Sequence, residues 1–200
     1  LSVGVMATLI STAIGLVMGA IAAYYGGIWD TIVMRLADTF LAFPYVLFVL
    51  AMIAALGQGI QNVFIAIGIL GWPQIARVFR SAILTVKEND YVDAARAMGA
   101  SDVRIIVRHI FPNSVASIVV YATMSIGGAI LTEAALSFLG MGVVPPEPSW
   151  GSMIQMGQQY LTNAPWMMIM PGLAILSTVL AFTLLGNGLR DALDVKMKDA

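Results

Sequence analysis

The sequence has no cysteine, a single histidine and little charge, since only 10% of its 200 residues are Asp, Glu, Lys or Arg. The absence of cysteine excludes disulfide bonds and thiolate metal sites. The lone His109 gives no support to a metal site built from clustered histidines. A soluble domain carries about 25% charged residues, so the low charge excludes an ordinary water-soluble protein. The net charge of −1 argues against nucleic acid as a partner.

Apolar sequence fills most of the chain: 60% of the residues are hydrophobic and the mean hydropathy is +0.89. This composition predicts a single all-α domain that spans a lipid bilayer several times. The 13 methionines are scattered through apolar runs, which is typical of flexible packing rather than of a copper site. Segments near or above the roughly 20 residues needed to cross a membrane occur at 3–24, 32–56, 60–79, 114–139 and 166–189.

Glycine and proline mark special points within these five predicted spans. Gly15 and Gly19 lie four residues apart in the first span, a spacing that lets another helix approach closely. Pro44 in the second span predicts a kink or a passage through an irregular region, and the Gly71-Trp72-Pro73 sequence in the third predicts a kink.

The basic residues predict the orientation. Successive spans cross the membrane in opposite directions, so the segments that connect them lie on alternate sides. All ten Lys and Arg residues lie in or beside segments on one side. The turn at 57–59 and the loop at 140–165 lie on the other side and have none. The positive-inside rule places residues 80–113 and the C-terminus in the cytoplasm of a bacterium or archaeon. With five spans and a cytoplasmic C-terminus, the first residue lies on the outer side of the membrane. Since the first residue is Leu1 and no signal peptide is seen, we expect a sixth span upstream.

The cytoplasmic stretch 91–113 predicts two short helices. The first has a predicted apolar face and ends at Gly99, a residue that favours helix C-termini. Ser101 caps the second helix, Asp102 complements its dipole, and Phe111-Pro112 is expected to end it before the next span. The predicted apolar faces are Tyr91, Ala94, Ala95 and Met98 in the first helix, and Val103, Ile106, Val107 and Ile110 in the second. An amphipathic connector resting on lipid headgroups would show the same faces.

This stretch resembles a known motif. Its pattern is Asp93-Ala94-Ala95-x3-Gly99-x9-His109-x-Phe111-Pro112. It is similar to the EAA loop of ABC importer permeases, Glu-Ala-Ala-x3-Gly-x9-Ile-x-Leu-Pro, with Asp for Glu, His for Ile and Phe for Leu. Further matches along the whole chain resemble the C-type subunits of dipeptide, oligopeptide and nickel permeases: Ala42-Phe43-Pro44, Trp72-Pro73-x3-Arg77, the run 132–140, Pro145-Pro146-x-Pro148-Ser149-Trp150-Gly151 and the run 185–194.

The resemblance implies an ABC importer type I permease fold with six spans. It implies a second, homologous permease subunit, two cytoplasmic ATPases that bind ATP and Mg, and an extracytoplasmic substrate-binding protein. No catalytic residue and no cofactor of its own are expected, and the chain has no Gly-x4-Gly-Lys-[Ser/Thr] loop. The EAA loop, residues 80–113, would hold the helix that couples to an ATPase. The implied coupling residues are Asp93, Ala94, Ala95, Arg96, Met98, Gly99, Ala100 and Pro112.

Several other residues have a predicted role, and for Glu133 two roles remain open. Glu133 lies deep in a predicted span, where a charge is costly, so it either faces a pore or gate or hydrogen-bonds a neighbouring helix. Pro44 and Trp72 are further pore or gate candidates. Arg35 and Asp38, three residues apart, predict a local pair.

The external loop 140–165 predicts a short helix over 150–161, capped by Ser149, with Met153, Met156 and Tyr160 on one face. This helix either docks a binding protein or forms a packed cap. Di- or oligopeptides are the expected solutes, and nickel or a glutathione-type solute is the alternative. A channel or secondary transporter without an ATPase is the alternative of another class, although it would be expected to show more intramembrane charges and inverted repeats.

Overall fold

The structure, a computed structural model, describes residues 1–193, and within that range every regular element is helical. Lys196 and Lys198, used in the orientation argument, lie outside the described residues. A π-helical turn at Ile106–Ile110 joins α6 to α7, and a 3-10 turn at Gln158–Tyr160 follows α8. The helices are α1 Ser2–Tyr25, α2 Gly27–Ala42, α3 Tyr45–Leu56, α4 Ile60–Lys87, α5 Asp90–Ala97, α6 Asp102–Ile105, α7 Phe111–Phe138, α8 Trp150–Gly157 and α9 Trp166–Leu193.

Within residues 1–193, four helices are long and apolar enough to cross a membrane: α1, α4, the 37-residue run Asp102–Phe138 and α9. The second predicted span is different, because α2 and α3 meet at an angle of 89° and pass the same test only as a pair. The kink predicted at Pro44 is therefore a full break. Phe43 is extended, with φ −89° and ψ 143°, as a residue that precedes proline prefers, and this ends α2 before α3 begins.

The kink predicted at Gly71-Trp72-Pro73 is not a break. The helix α4 runs without interruption from Ile60 to Lys87 and passes through Pro73, so it also extends beyond the predicted end at residue 79. Pro73 is fully buried. Neighbouring helices commonly support a proline inside a spanning helix, and α4 packs along α1 for much of its length.

Two arginines in the half of α4 that follows Pro73 are paired with α2. Arg80 makes two hydrogen bonds with Asp30, from Nε to Oδ1 at 2.5 Å and from a terminal nitrogen to Oδ2 at 2.6 Å. Arg77 pairs with Asp38. The prediction that Arg35 pairs with Asp38 is wrong, because α2 and α4 lie side by side and present Asp38 to an arginine of another helix.

The close approach predicted at Gly15 and Gly19 is confirmed. A Cβ atom on Gly15 would lie 2.7 Å from Cβ of Ile75, and one on Gly19 would lie 2.8 Å from the carbonyl oxygen of Ala76. Glycines of α4 face α1 in the same way, and the Ser11 hydroxyl donates to the Gly68 carbonyl at 2.8 Å. Small residues on both helices therefore hold α1 and α4 at backbone contact.

The other long helices surround this pair. α7 packs on both α1 and α4, and α9 packs on α7 and α8. The outward side chains of α9 remain exposed, for example Leu176, Leu180 and Leu184. An apolar surface of this kind suits contact with lipid.

We predict that Gly19→Ala destabilises the protein by about 1–3 kcal/mol, because the new methyl group must push the α4 backbone away. The loss would appear as a fall in the midpoint of thermal unfolding in detergent, followed by tryptophan fluorescence. Gly172→Ala in α9 is the matched control, since no atom lies within 4 Å of its added Cβ. Equal midpoints for the two variants would contradict the close α1–α4 contact.

Candidate functional site

The stretch that resembles the EAA motif lies between α4 and α7, and residues 88–110 are called the connecting segment below. Its entry is fixed by Asn89, whose side-chain amide donates to the carbonyls of Thr85 at 3.2 Å and Val86 at 2.9 Å. These bonds satisfy carbonyl groups that the end of α4 leaves unpaired. The chain then turns directly into α5.

The end of α5 depends on Gly99. Its φ is +78°, and the Ala100 N–H donates to the Ala95 carbonyl at 3.1 Å, which is the pattern of a Schellman C-cap. No atom lies within 4 Å of a Cβ built on Gly99, so the backbone angle and not crowding requires glycine here. The predicted helix stop at Gly99 is confirmed.

The second short helix begins as predicted but does not end as predicted. The Ser101 hydroxyl accepts from the Arg104 N–H at 3.4 Å and caps α6. The expected break at Phe111-Pro112 is wrong, because α6 continues through the π-helical turn into α7, with Pro112 in the first turn of α7. Proline lacks an N–H and its ring clashes with the carbonyl four residues earlier in an α-helix. The wider π turn before Pro112 relieves that clash.

The predicted apolar faces of the connecting segment coincide only in part with the buried ones, since Ala95 and Ile110 are buried but most of the other predicted residues are not. Its buried side chains are Val92, Ala95, Ile105 and Ile110, each no more than 3% exposed, whereas Tyr91, Ala94, Met98, Val103 and Val107 are exposed. In α5 the stripe that contains Val92 and Ala95 faces the protein. In the second helix the π turn shifts the helical register by adding a residue to the turn.

The buried side chains join a single apolar cluster with the ends of three long helices. The cluster includes Tyr24 from α1, Phe79 and Ile83 from α4, and Ile118 from α7. One face of the connecting segment is therefore fixed against the helical bundle. The other face presents Met98, which is 82% exposed, and Val103, which is 69% exposed.

The structure places the implied coupling residues in one short region, apart from Pro112. Asp93 and Arg96 are exposed and form an ion pair of 2.9 Å with each other. Such an exposed pair contributes only about 0–1 kcal/mol to stability. Ala94, Met98 and Gly99 are exposed beside them, Ala100 is half-buried, and Ala95 faces inward.

Two contacts, one within the connecting segment and one at the end of α4 just before it, were missed by sequence reasoning. The Tyr24 hydroxyl donates to Oδ1 of Asp102 at 2.6 Å. Lys87 Nζ donates to the carbonyls of Tyr24 at 2.7 Å and Ala23 at 3.3 Å at the end of α1. The first contact joins residues 78 positions apart, and no periodicity signals such a pair. Lys87 could have been predicted to contact the carbonyl groups of a helix end, because basic residues favour that position.

Glu133 is buried and hydrogen-bonded. Its Oε1 accepts from the Ser137 hydroxyl at 2.6 Å and from the Ser149 hydroxyl at 2.8 Å. Ser149 also caps α8 by accepting from the Ser152 N–H at 3.4 Å. The carboxylate thus ties α7 to the start of α8, and it borders a cavity of about 190 Å³ next to Trp150.

The other two pore or gate candidates lie in different environments. Pro44 is exposed at the break between α2 and α3. Trp72 is 4% exposed and packs edge-to-face on Phe40, with 5.6 Å between the ring centroids. Trp72 therefore contributes to the packing of α4 against α1 and α2.

A cavity of about 380 Å³ lies between α1, α4, α7 and the start of α3, and Tyr45 borders it. No charged side chain among residues 1–193 lines it. The Tyr45 hydroxyl at its edge donates to the Ile67 carbonyl at 3.1 Å. The Thr8 hydroxyl is buried without a hydrogen-bond partner within residues 1–193. The polar residues that line the cavity are Thr8, Ser11, Tyr45, Gln74, Tyr121, Ser125 and Thr132.

The external loop contains the predicted helix. α8 covers Trp150–Gly157 and the 3-10 turn continues it to Tyr160. Met153, Met156 and Tyr160 are 44%, 55% and 48% exposed, so they form an outward apolar surface. Among residues 1–193 no group of three or more His, Cys, Asp or Glu side chains could hold a metal ion.

We predict that Ser149→Ala destabilises the protein by about 1–3 kcal/mol, because it removes a bond to a buried carboxylate as well as a helix cap. Thermal unfolding in detergent measures the loss. Ser177→Ala is the control, since its exposed hydroxyl donates only to the Ala174 carbonyl in its own helix. A midpoint for Ser149→Ala equal to that of the control would contradict the tie between α7 and α8.

Solved structures share this fold. A chain of the MetNI methionine ABC transporter, in inward-facing conformations, superimposes with a TM-score of 0.77 at 20% identity, over 96% of this chain and 91% of that chain. A chain of an amino acid ABC transporter solved with histidines gives a TM-score of 0.68 at 16% identity, over 96% and 91% of the two chains. The predicted all-α permease fold is confirmed.

Sequence comparisons identify the family. The glutathione transport system permease proteins GsiD of Escherichia coli O157:H7 and of Shigella sonnei are each 48% identical over 198 residues, which is 99% of this chain and 65% of theirs. The chain thus spans about two thirds of the length of these relatives. The model of the binding-protein-dependent transport system inner membrane component family matches residues 15–199. The chain therefore belongs to the binding-protein-dependent transport system inner membrane component family.

Proposed function

We propose that the protein is the membrane-spanning permease subunit of an ATP-driven ABC importer, and that the connecting segment docks on a cytoplasmic ATPase. The observation that carries this proposal is the two-sided build of the segment. One side is fixed to the ends of α1, α4 and α7, and the other presents exposed apolar side chains such as Met98.

This build suits mechanical coupling. A segment that only rested on lipid headgroups would be displaced without moving the long helices. A segment packed against three long helices transmits its displacement to them as a rigid-body shift. The Schellman cap at Gly99 and the Ser101 cap hold the two short helices in a defined relation. Exposed side chains at the bend, Met98 and Val103, give an apolar contact to a groove in a partner.

The remaining partners supply the functions that this chain does not provide by itself. ATP and Mg bind to the ATPases, because this sequence has no phosphate-binding loop. A companion permease completes the translocation path, and a substrate-binding protein outside the membrane docks near the exposed surface of α8. The connecting segment and the C-terminus face the cytoplasm, as the distribution of basic residues predicts.

The solute is a peptide-like molecule, with a glutathione-type solute the most directly supported case. The GsiD relatives are named for glutathione transport. The cavity that Tyr45 borders offers hydroxyl and amide groups without charge, which suits a solute that carries amide bonds. A bare nickel ion finds no cluster of ligands among residues 1–193, although a nickel chelate would not need one.

The test is reconstitution of the full-length protein with its companion permease, ATPase and binding protein in liposomes. Radiolabelled glutathione is the first probe. Uptake should require ATP and all of the partners, and the protein without the ATPase should transport nothing. Uptake by the permease subunits alone would instead support a channel or a secondary transporter.

In the same assay we predict that Gly99→Val lowers uptake per ATP hydrolysed while membrane insertion is preserved. A β-branched residue at φ +78° is strained by about 1–2 kcal/mol, which corresponds to a roughly 5- to 30-fold change in a docked population. Gly99→Asn is the control at the same position, because asparagine tolerates this backbone angle. If Gly99→Val retains normal uptake per ATP, the coupling role of the segment is wrong.

A further inference from the structure

The connecting segment is covalently attached to α4 and α7 but also makes a contact with α1, to which it has no direct covalent connection. The Tyr24 hydroxyl donates to Oδ1 of Asp102 at 2.6 Å. It joins the segment to a helix that does not adjoin it in sequence. Asp102 stands in the first turn of α6, next to the bend that follows α5.

The tyrosine end of this contact is held in place. Tyr24 is 7% exposed and belongs to the apolar cluster that buries Val92 and Ile105. Lys87 fixes the backbone of the last turn of α1 through the carbonyls of Ala23 and Tyr24, and its Nζ lies 5.6 Å from the centre of the Tyr24 ring. The tyrosine hydroxyl is therefore presented to Asp102 by a constrained helix end, not by a free side chain.

The other end of α1 leads to the cavity that Tyr45 borders. Ala7, Thr8 and Ser11 of α1 line that cavity. α1 is also in backbone contact with α4 at Gly15 and Gly19, so it moves as a unit with little room to bend at those points. A displacement of Asp102 that is passed to Tyr24 would thus reach the cavity wall through α1.

We propose that Tyr24 and Asp102 form a latch that transmits movement of the connecting segment into α1, in addition to the covalent route through α4 and α7. Both are positioning residues, and neither contacts the solute. The latch rests on the proposed function, because it transmits movement only if an ATPase moves the segment.

The test uses the complete transporter with radiolabelled glutathione as the probe and measures uptake per ATP hydrolysed. Tyr24→Phe keeps the ring in the apolar cluster and removes only the hydroxyl. We expect it to lower uptake per ATP by about tenfold, the change that one hydrogen bond to a charged group supports, with the amount of copurified ATPase unchanged. Tyr25→Phe is the matched control, since Tyr25 is exposed and its hydroxyl makes no hydrogen bond within residues 1–193.

Variants of Asp102 separate the latch from ordinary stabilisation. Asp102→Asn keeps an acceptor oxygen and should stay within about threefold of the wild-type coupling, whereas Asp102→Ala should lose it. The double variant Tyr24→Phe/Asp102→Ala should be no worse than Asp102→Ala alone, because the two changes remove one interaction. Amide hydrogen exchange in residues 90–105 should become faster in Tyr24→Phe and stay unchanged in Tyr25→Phe.

Several results would overturn the latch. These are wild-type uptake per ATP in Tyr24→Phe, loss of copurified ATPase in that variant, or additive effects in the double variant. A wild-type protein that does not copurify with an ATPase would contradict the proposed function itself and the latch with it. If the wild-type complex couples uptake to ATP hydrolysis and Tyr24→Phe has the same uptake per ATP, the latch alone is contradicted.

Discussion

The contact between α1 and α4 is the constraint on which the rest of this structure depends. Glycines on both helices bring the backbones so close that a single methyl group at Gly19 would meet the Ala76 carbonyl. This contact stabilises α4 past Pro73 and carries it to Lys87, beyond the apolar part of the sequence. The connecting segment therefore begins on a supported helix, and its inner face has the ends of α1 and α4 to pack against.

The same contact explains which charges are satisfied. Because α4 is long, Arg77 and Arg80 reach Asp38 and Asp30 of α2. Both pairs are partly exposed, so each contributes little to stability. Their effect is to fix α2 beside α4, while the break at Pro44 turns α3 away by 89°. The chain thus combines two tightly joined helices with a bent pair beside the cavity that Tyr45 borders.

Local signals in the sequence predicted local features well. The caps at Ser101 and Ser149, the stop at Gly99 and the close approach at Gly15 and Gly19 follow from the conformations and sizes of these residues, and the structure confirms them. The long apolar segments predicted the long helices and the fold class for the same reason, since composition alone determines whether a segment can cross a membrane.

The wrong predictions concern features that are determined by contacts between residues far apart in the sequence. Two prolines gave the same local signal, yet Pro44 breaks a helix and buried Pro73 does not. The apolar face of an eight-residue helix is ambiguous, because Val92 and Ala95 compete with Tyr91 and Met98, and only the neighbouring helices decide which side is buried. The π turn before Pro112 and the Tyr24–Asp102 bond depend on partners far away in sequence.

The central claim is that the exposed bend of the connecting segment touches an ATPase, and cysteine crosslinking tests it most directly. Residues 1–200 contain no cysteine, so Met98→Cys introduces a single reactive thiol at an 82% exposed position. Leu180→Cys, on the outward side of α9, is the control. In the assembled transporter, a short thiol-to-amine crosslinker should join position 98 to the ATPase and leave position 180 unjoined. A complex that retains its ATPase but shows no crosslink from position 98 would contradict the account.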